Sequence, residues 1–326
     1  MKDIIQKLVS IPSPSGFEEK LREQVTKLLE GKIGEVDFMG NLVVKHPGKG
    51  PKILVEAQMD EDSIIANHID KNGFIRFYPS TAMKEADILN RQVIFPSGAC
   101  GYIGAEEVAE GTVLGFDKMF VDVGAHDKKI AMKMVQIGDH ASFHTESRLE
   151  GGRVIGASNC KVPVAVLTWL VNEYDGDANL VYAFTAQGRL GGRGAAAIIT
   201  RENPDIIVTI DSTPATDTPN CPDKAKIDLD AGPVLVVKGN IVPRDMNAIS
   251  IFEEVAETSG IQTQRTVKDV YDMHDMRIAR LVSSASIITV GIPARRFGMF
   301  GSVSSVSDAQ AAGKLLSKAL RKKLVK

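Results

Sequence analysis

The chain has 326 residues, 39 basic against 41 acidic side chains, and three cysteines. Its length exceeds an ordinary single domain, and 44% hydrophobic with 25% charged residues supply a full core, which excludes a disordered or fibrous chain. A net charge of −2, spread along the sequence, gives no handle on nucleic acid or an anionic membrane, so neither is an expected partner.

In chain order, Ile4, Ile5, Leu8 and Val9 recur at helical spacing, and Lys2, Asp3 and Lys7 among them are unlike a secretory signal. Ser10 to Gly16 breaks the chain. A second helix follows, with Ser15 and Glu18 spaced as a capping box and Phe17, Leu21, Val25, Leu28 and Leu29 as its buried stripe. Lys52 to Ala57 reads as a buried strand running into the acidic cluster Asp60, Glu61 and Asp62.

From about Ile64 to about Glu150 the texture changes to short runs punctuated by glycine. Phe74–Phe77, Gln92–Phe95, Thr112–Leu114 and Met119–Val123 predict strands of a small, mainly β unit. Past Gly151 and Gly152 the α and β alternation resumes. Strands are predicted at Leu180–Thr185, Ile206–Ile210, Val234–Val237 and Ile287–Val290, and helices near Val162–Glu173, Arg193–Arg201, Met246–Ser259 and Ser307–Leu320. The pattern predicts an α/β domain, residues 1–63 and 152–326, carrying an inserted β-rich domain, residues 64–151.

Cys100, Cys160 and Cys221 are odd in number with no C-x-x-C pair, which points to reduced thiols and a cytoplasmic setting. No apolar run approaches the ~20 residues needed to span a bilayer.

Gly188-Arg189-Leu190-Gly191-Gly192-Arg193-Gly194 joins a predicted strand to a predicted helix. Gly192, Gly194 and Ala197 have the spacing of a dinucleotide fingerprint, and Asp211 ends the next strand where a ribose-binding acid would stand. The same glycines suit a tight turn with close helix-to-strand packing. Both readings are open on this segment alone.

Wider motifs bear on the choice. Ile11-Pro12-Ser13-Pro14-Ser15-Gly16, Asp37-Phe38-Met39-Gly40-Asn41-Leu42, Ala57-Gln58-Met59-Asp60-Glu61, Gly138-Asp139, Thr185-Ala186-Gln187, Asp217-Thr218-Pro219 and Gly291-Ile292-Pro293 occur in one order over nearly the whole chain. In that order and spacing the chain resembles the tetrahedral, or glutamyl, aminopeptidase family of di-metal peptidases. The resemblance implies a three-layer αβα hydrolase-like domain with an inserted β-barrel-like domain, and assembly as a homo-oligomer. It makes the Gly-rich segment a packing turn.

Two-metal peptide hydrolysis requires metal ligands, a bridging carboxylate and a carboxylate base for the attacking water. The resemblance implies where these stand. The family's A-H-M-D-E is Ala57-Gln58-Met59-Asp60-Glu61 here, so the orienting Asp60 is kept and the ligand becomes Gln58. The bridging Asp becomes Asn159, followed by Cys160. The base position is Gly188 and the ligand after it is Arg189, while Asp211 keeps the one retained ligand. The last His ligand falls near Gly298 in Arg295–Ser302, a stretch without histidine.

A neutral amide binds divalent ions less well than a carboxylate, and Arg189 brings permanent positive charge to a cation site. No bound metal or other cofactor is expected, and the Arg189 guanidinium is expected to fill the vacated position opposite Asp211, with Asp60 nearby. The leading expectation is a non-catalytic homologue holding a peptide or another small amine-bearing ligand. The alternatives are a working hydrolase with a rearranged site, using zinc or cobalt, and a dinucleotide-binding protein.

Other groups invite weighing. His274 and Asp275 fall toward the substrate end of the implied pocket. His126, His140 and His144, with Asp122, Asp127 and Asp139, offer a relocated metal site, against a reading as loop histidines. Cys160 lacks the adjacent His that a thiol nucleophile needs. Glu56, Asp60 and Glu61 differ in strand parity, which disfavours a glycosidase pair.

Overall fold

A computed structural model describes residues 1–107, 114–157, 159–221, 226–238, 246–267, 274–298, 301–322 and 324, with the backbone alone for 238 and 274–276. Among these residues an 11-stranded sheet and a closed six-stranded barrel account for all strands. The predicted strand at Thr112–Leu114 falls largely outside the described residues.

The centre of the sheet is parallel. Ala178–Thr185, Lys49–Gln58, Ile206–Pro214 and Ser286–Arg295 lie side by side in that order. Short runs of branched residues form these strands because both faces are covered, as parallel sheets require. Along Lys49–Gln58 the side chains alternate: Ile53, Val55 and Ala57 enter one core, and Leu54 enters the core on the opposite face. Helices Lys2–Leu8, Lys161–Glu173, Met246–Thr258 and Val306–Ala319 pack on the first face, while Arg193–Glu202 and His274–Val282 cover the second. The result is the expected αβα arrangement.

The barrel takes its strands from Ser63–Ile69, Ile75–Pro79, Gln92–Ile94, Cys100–Ala105, Met119–Asp122 and His140–Phe143. Its core is separate, built on Ile64, Ile75, Phe77, Val93, Ile103 and Val121 among others. Closure pairs every strand edge, which suits short strands that could not stand alone. No helix among the described residues is long and apolar enough to cross a membrane.

Two expectations for the second helix fail. The helix spans Glu19–Leu28, its N-cap Glu18 makes no side-chain cap bond, and the Ser15 hydroxyl donates to Asp60 instead. Phe17 is 45% exposed and packs its ring on His140 of the barrel, 4.8 Å between centroids. Tertiary partners have outcompeted the local cap.

Candidate functional site

The parallel strands deliver their carboxyl ends to one place. Thr185 lies beside Gln58, and Thr209 beside Glu56, so Gln58 and Asp211 end up in matching rows of adjacent strands. The turn after Thr185 brings Gly188 and Arg189 to the same edge, and Asn159 and Cys160 arrive at the start of the Lys161–Glu173 helix. The Ser212 hydroxyl donates to the Asn159 carbonyl at 2.7 Å, tying that helix start to the Asp211 strand.

Asp60 is fully buried and organises the turn. It accepts from the Ser15 hydroxyl, from Gly188 N at 2.9 Å and from Arg189 N at 2.7 Å. Burial raises its pKa, with Ser15 and Arg189 pulling the other way. Glu18 holds the preceding residue in a similar way, accepting from Gln187 N at 2.8 Å and from Gly16 N at 2.9 Å. Gln187 has φ of 55° and Gly191 and Gly192 have φ of 88° and 72°, left-handed conformations that glycine tolerates best.

The Gly-rich turn is closed by protein groups. The Asn41 amide donates to the Gly194 carbonyl and accepts from Ala186 N, at 2.9 and 2.8 Å. A Cβ on Gly194 would lie 2.2 Å from the Ala186 carbonyl oxygen. Those contacts suit helix-to-strand packing, and Asn41 already accepts from the Ala186 N–H that a bound phosphate would compete for.

The turn edges a cavity of about 180 Å3 between the sheet and the barrel. It is lined by polar Asp60, Glu61, Asp62, Asn159, Cys160 and Arg189, by apolar Val9, Ile11, Pro12, Ile94 and Phe143, and by Ser10, His144, Thr145, Glu146 and Ser147. The Arg189 side chain is 20% exposed and lies 3.8 Å, Nε to Oδ1, from Asp62. Burial opposes its charge, but Asp62, Asp60 and Asp211 outweigh that and hold its pKa above the ordinary value. Gln58 Oε1, Asn159 Oδ1 and Arg189 Nε are buried with no hydrogen-bond partner among the described residues.

Below the cavity, Lys161 is 1% exposed and pairs with Glu61 at 3.3 Å while donating to Ser13 at 2.5 Å. Cys160 is buried and its thiol donates to the Met59 carbonyl at 3.2 Å. Asp211 is 3% exposed and accepts from its neighbour Ser212 N at 2.6 Å.

The structure thus brings Gln58, Asp60, Asn159, Cys160, Gly188, Arg189 and Asp211 together. Gly298 is exposed in a turn with φ of 77°, and His274 and Asp275 open the last helix on the second face, their side chains outside the described residues. His126 pairs with Asp127 at 3.6 Å on the surface, and His140 sits half-buried against Ser63 at 3.2 Å, its pKa lowered by burial. Among the described residues no group of three or more His, Cys, Asp or Glu is placed to hold a metal. Sequence reasoning missed Asp62 as the acid nearest Arg189, and the 142–147 segment as a cavity wall. Asp62 was visible in the acidic cluster, but its pairing spans 127 positions of sequence and leaves no local signal.

A site at the carboxyl edge of a largely parallel sheet, faced by a β-barrel, defines the chain as an αβα protein with its candidate site where such sheets bind ligands. An aminopeptidase of the archaeon Desulfurococcus kamchatkensis matches this fold with a TM-score of 0.92 over 98% of this chain and 94% of its own, at 24% identity. A Pyrococcus horikoshii peptidase, described as assembling into a tetrahedron or a large octahedral shell, matches with a TM-score of 0.85 over 98% of each chain, at 24% identity. The M42 glutamyl aminopeptidase model matches residues 40–315. A protein of Acetivibrio thermocellus whose name assigns it to the aminopeptidases is 31% identical over 98% of each chain. The chain belongs to the M42 glutamyl aminopeptidase family.

Proposed function

We propose that this chain is a non-catalytic member of the family, which binds a peptide or another small amine-bearing ligand in the cavity beside Arg189. The observation that carries the reading is the guanidinium itself, set among Asp60, Asp62 and Asp211 where the resemblance calls for a metal ligand. The residues present do not fit a pair of divalent ions. Gln58 and Asn159 offer neutral amide oxygens, Gly188 and Gly298 offer no side-chain ligand, and Arg189 repels a cation.

Hydrolysis also requires a group that accepts the proton of the attacking water, and Gly188 has no side chain to do so. Asp62, beside the guanidinium on the cavity wall, offers a carboxylate acceptor for a ligand ammonium group. The same reading treats residues 1–63 and 152–326 as one cytoplasmic α/β unit with 64–151 inserted. It takes the protein to be a homo-oligomer, in line with the assembly described for the Pyrococcus horikoshii peptidase.

An aminoacyl-anilide screen with added zinc, cobalt or manganese tests the proposal. Turnover stays at background in every condition; robust metal-dependent turnover would mean a working hydrolase with a rearranged site.

A further inference from the structure

The Arg189 Nε is buried with no hydrogen-bond partner among the described residues, and the guanidinium's acid contact is the 3.8 Å ion pair with Asp62. A guanidinium presents up to five donors in a planar fork, and leaving even the buried Nε–H unmatched is costly. Asn159, 8% exposed, presents a buried Oδ1 that is likewise unmatched among the described residues. Asp62, with a side chain 22% exposed, reaches the same cavity. Ile11, Ile94 and Phe143 line the same cavity and give it apolar surface.

We infer that the cavity takes a free α-amino acid with an apolar side chain. The inference rests on the non-catalytic reading above and names the ligand class for that site. The Arg189 fork matches a carboxylate with two parallel charge-assisted hydrogen bonds, which the single carbonyl oxygen of a peptide bond cannot accept. Asp62 and the Asn159 amide oxygen accept from the ammonium group. The apolar wall covers the side chain and removes it from water. A site built on metal ions suits an uncharged carbonyl; one built on a fixed guanidinium suits the carboxylate that only a free amino acid carries next to its amine.

Calorimetric titration of the full chain with L-leucine, L-leucinamide, 4-methylpentanoate and 3-methylbutylamine tests this. L-Leucine is expected to bind at least about tenfold more tightly than each of the other three, which lack one charge. Arg189→Lys keeps the charge without the fork and is expected to erase most of the preference for leucine over leucinamide, with the melting temperature reporting that the variant is folded. Leucinamide binding as tightly as leucine would overturn the inference and leave the amine-binding reading standing. Silence from all four probes would overturn the inference, silence from L-leucyl-L-leucine as well would overturn the ligand-binding reading beneath it, and anilide turnover with bound metal would remove the non-catalytic reading.

Discussion

Two arginines at the same end of the sheet have opposite circumstances. Arg295 grips Asp217 with both arms, Nε to Oδ1 at 2.9 Å and Nη2 to Oδ2 at 2.6 Å, and this bond holds the Asp217 carboxyl below its usual range. Arg189 is more deeply placed, yet its guanidinium lies 3.8 Å from Asp62 and its buried Nε meets no hydrogen-bond acceptor among the described residues. An arginine kept for structure has its hydrogen bonds filled, since an unmatched buried donor costs about 1–3 kcal/mol. The contrast locates the region of the site that remains open for a ligand.

The largest effect is expected where the turn that presents Arg189 is dismantled. Asp60→Ala strands the Gly188 and Arg189 N–H groups and is expected to cost about 3–5 kcal/mol in urea unfolding. A loss under about 1 kcal/mol would mean the turn holds itself.

Arg189→Met sharpens the comparison through pH. Without the guanidinium, Asp60, already raised by burial, loses an opposing charge, so its folded pKa rises further above the unfolded value. The ionised form is then penalised in the folded state. A deficit of about 1–3 kcal/mol is expected at neutral pH, shrinking as pH falls toward the ordinary carboxylate range. Arg295→Met is expected to cost about 0.2–1 kcal/mol, because that pair is substantially exposed and solvent-screened.

A smaller test lies outside the site. Asp308 is 1% exposed and accepts from Asp230 N and Gly232 N, both at 2.9 Å, and burial pushes its pKa up to about 6. Because the folded value exceeds the unfolded one, lowering pH from 7 to 5 is expected to stabilise the natural protein relative to Asp308→Asn by about 1 kcal/mol. A flat difference across that window would contradict the burial of an ionised carboxyl.

Much of this fold was legible because its central strands are short branched runs with both faces covered, and its helices carry clear apolar stripes. Gln58, Asp60, Asn159, Gly188, Arg189 and Asp211 were legible as substitutions within ordered motifs. What local patterns misread was set by distant partners: Ser15 turned from its own helix to Asp60, and Phe17 left the helix stripe for His140. The Asp62 contact, the Arg189 Nε left without a hydrogen bond among the described residues and the 142–147 lining arise only when the barrel meets the sheet edge, which no spacing in the sequence encodes.

The measurement that bears most directly on the proposed non-catalytic site is the metal content of the purified chain after dialysis against zinc and after dialysis against cobalt, by inductively coupled plasma mass spectrometry. Far less than one ion per chain is expected in both cases, with no change in melting temperature on adding a chelator. Two ions per chain, lost together with stability on chelation, would contradict a non-catalytic site built on Arg189.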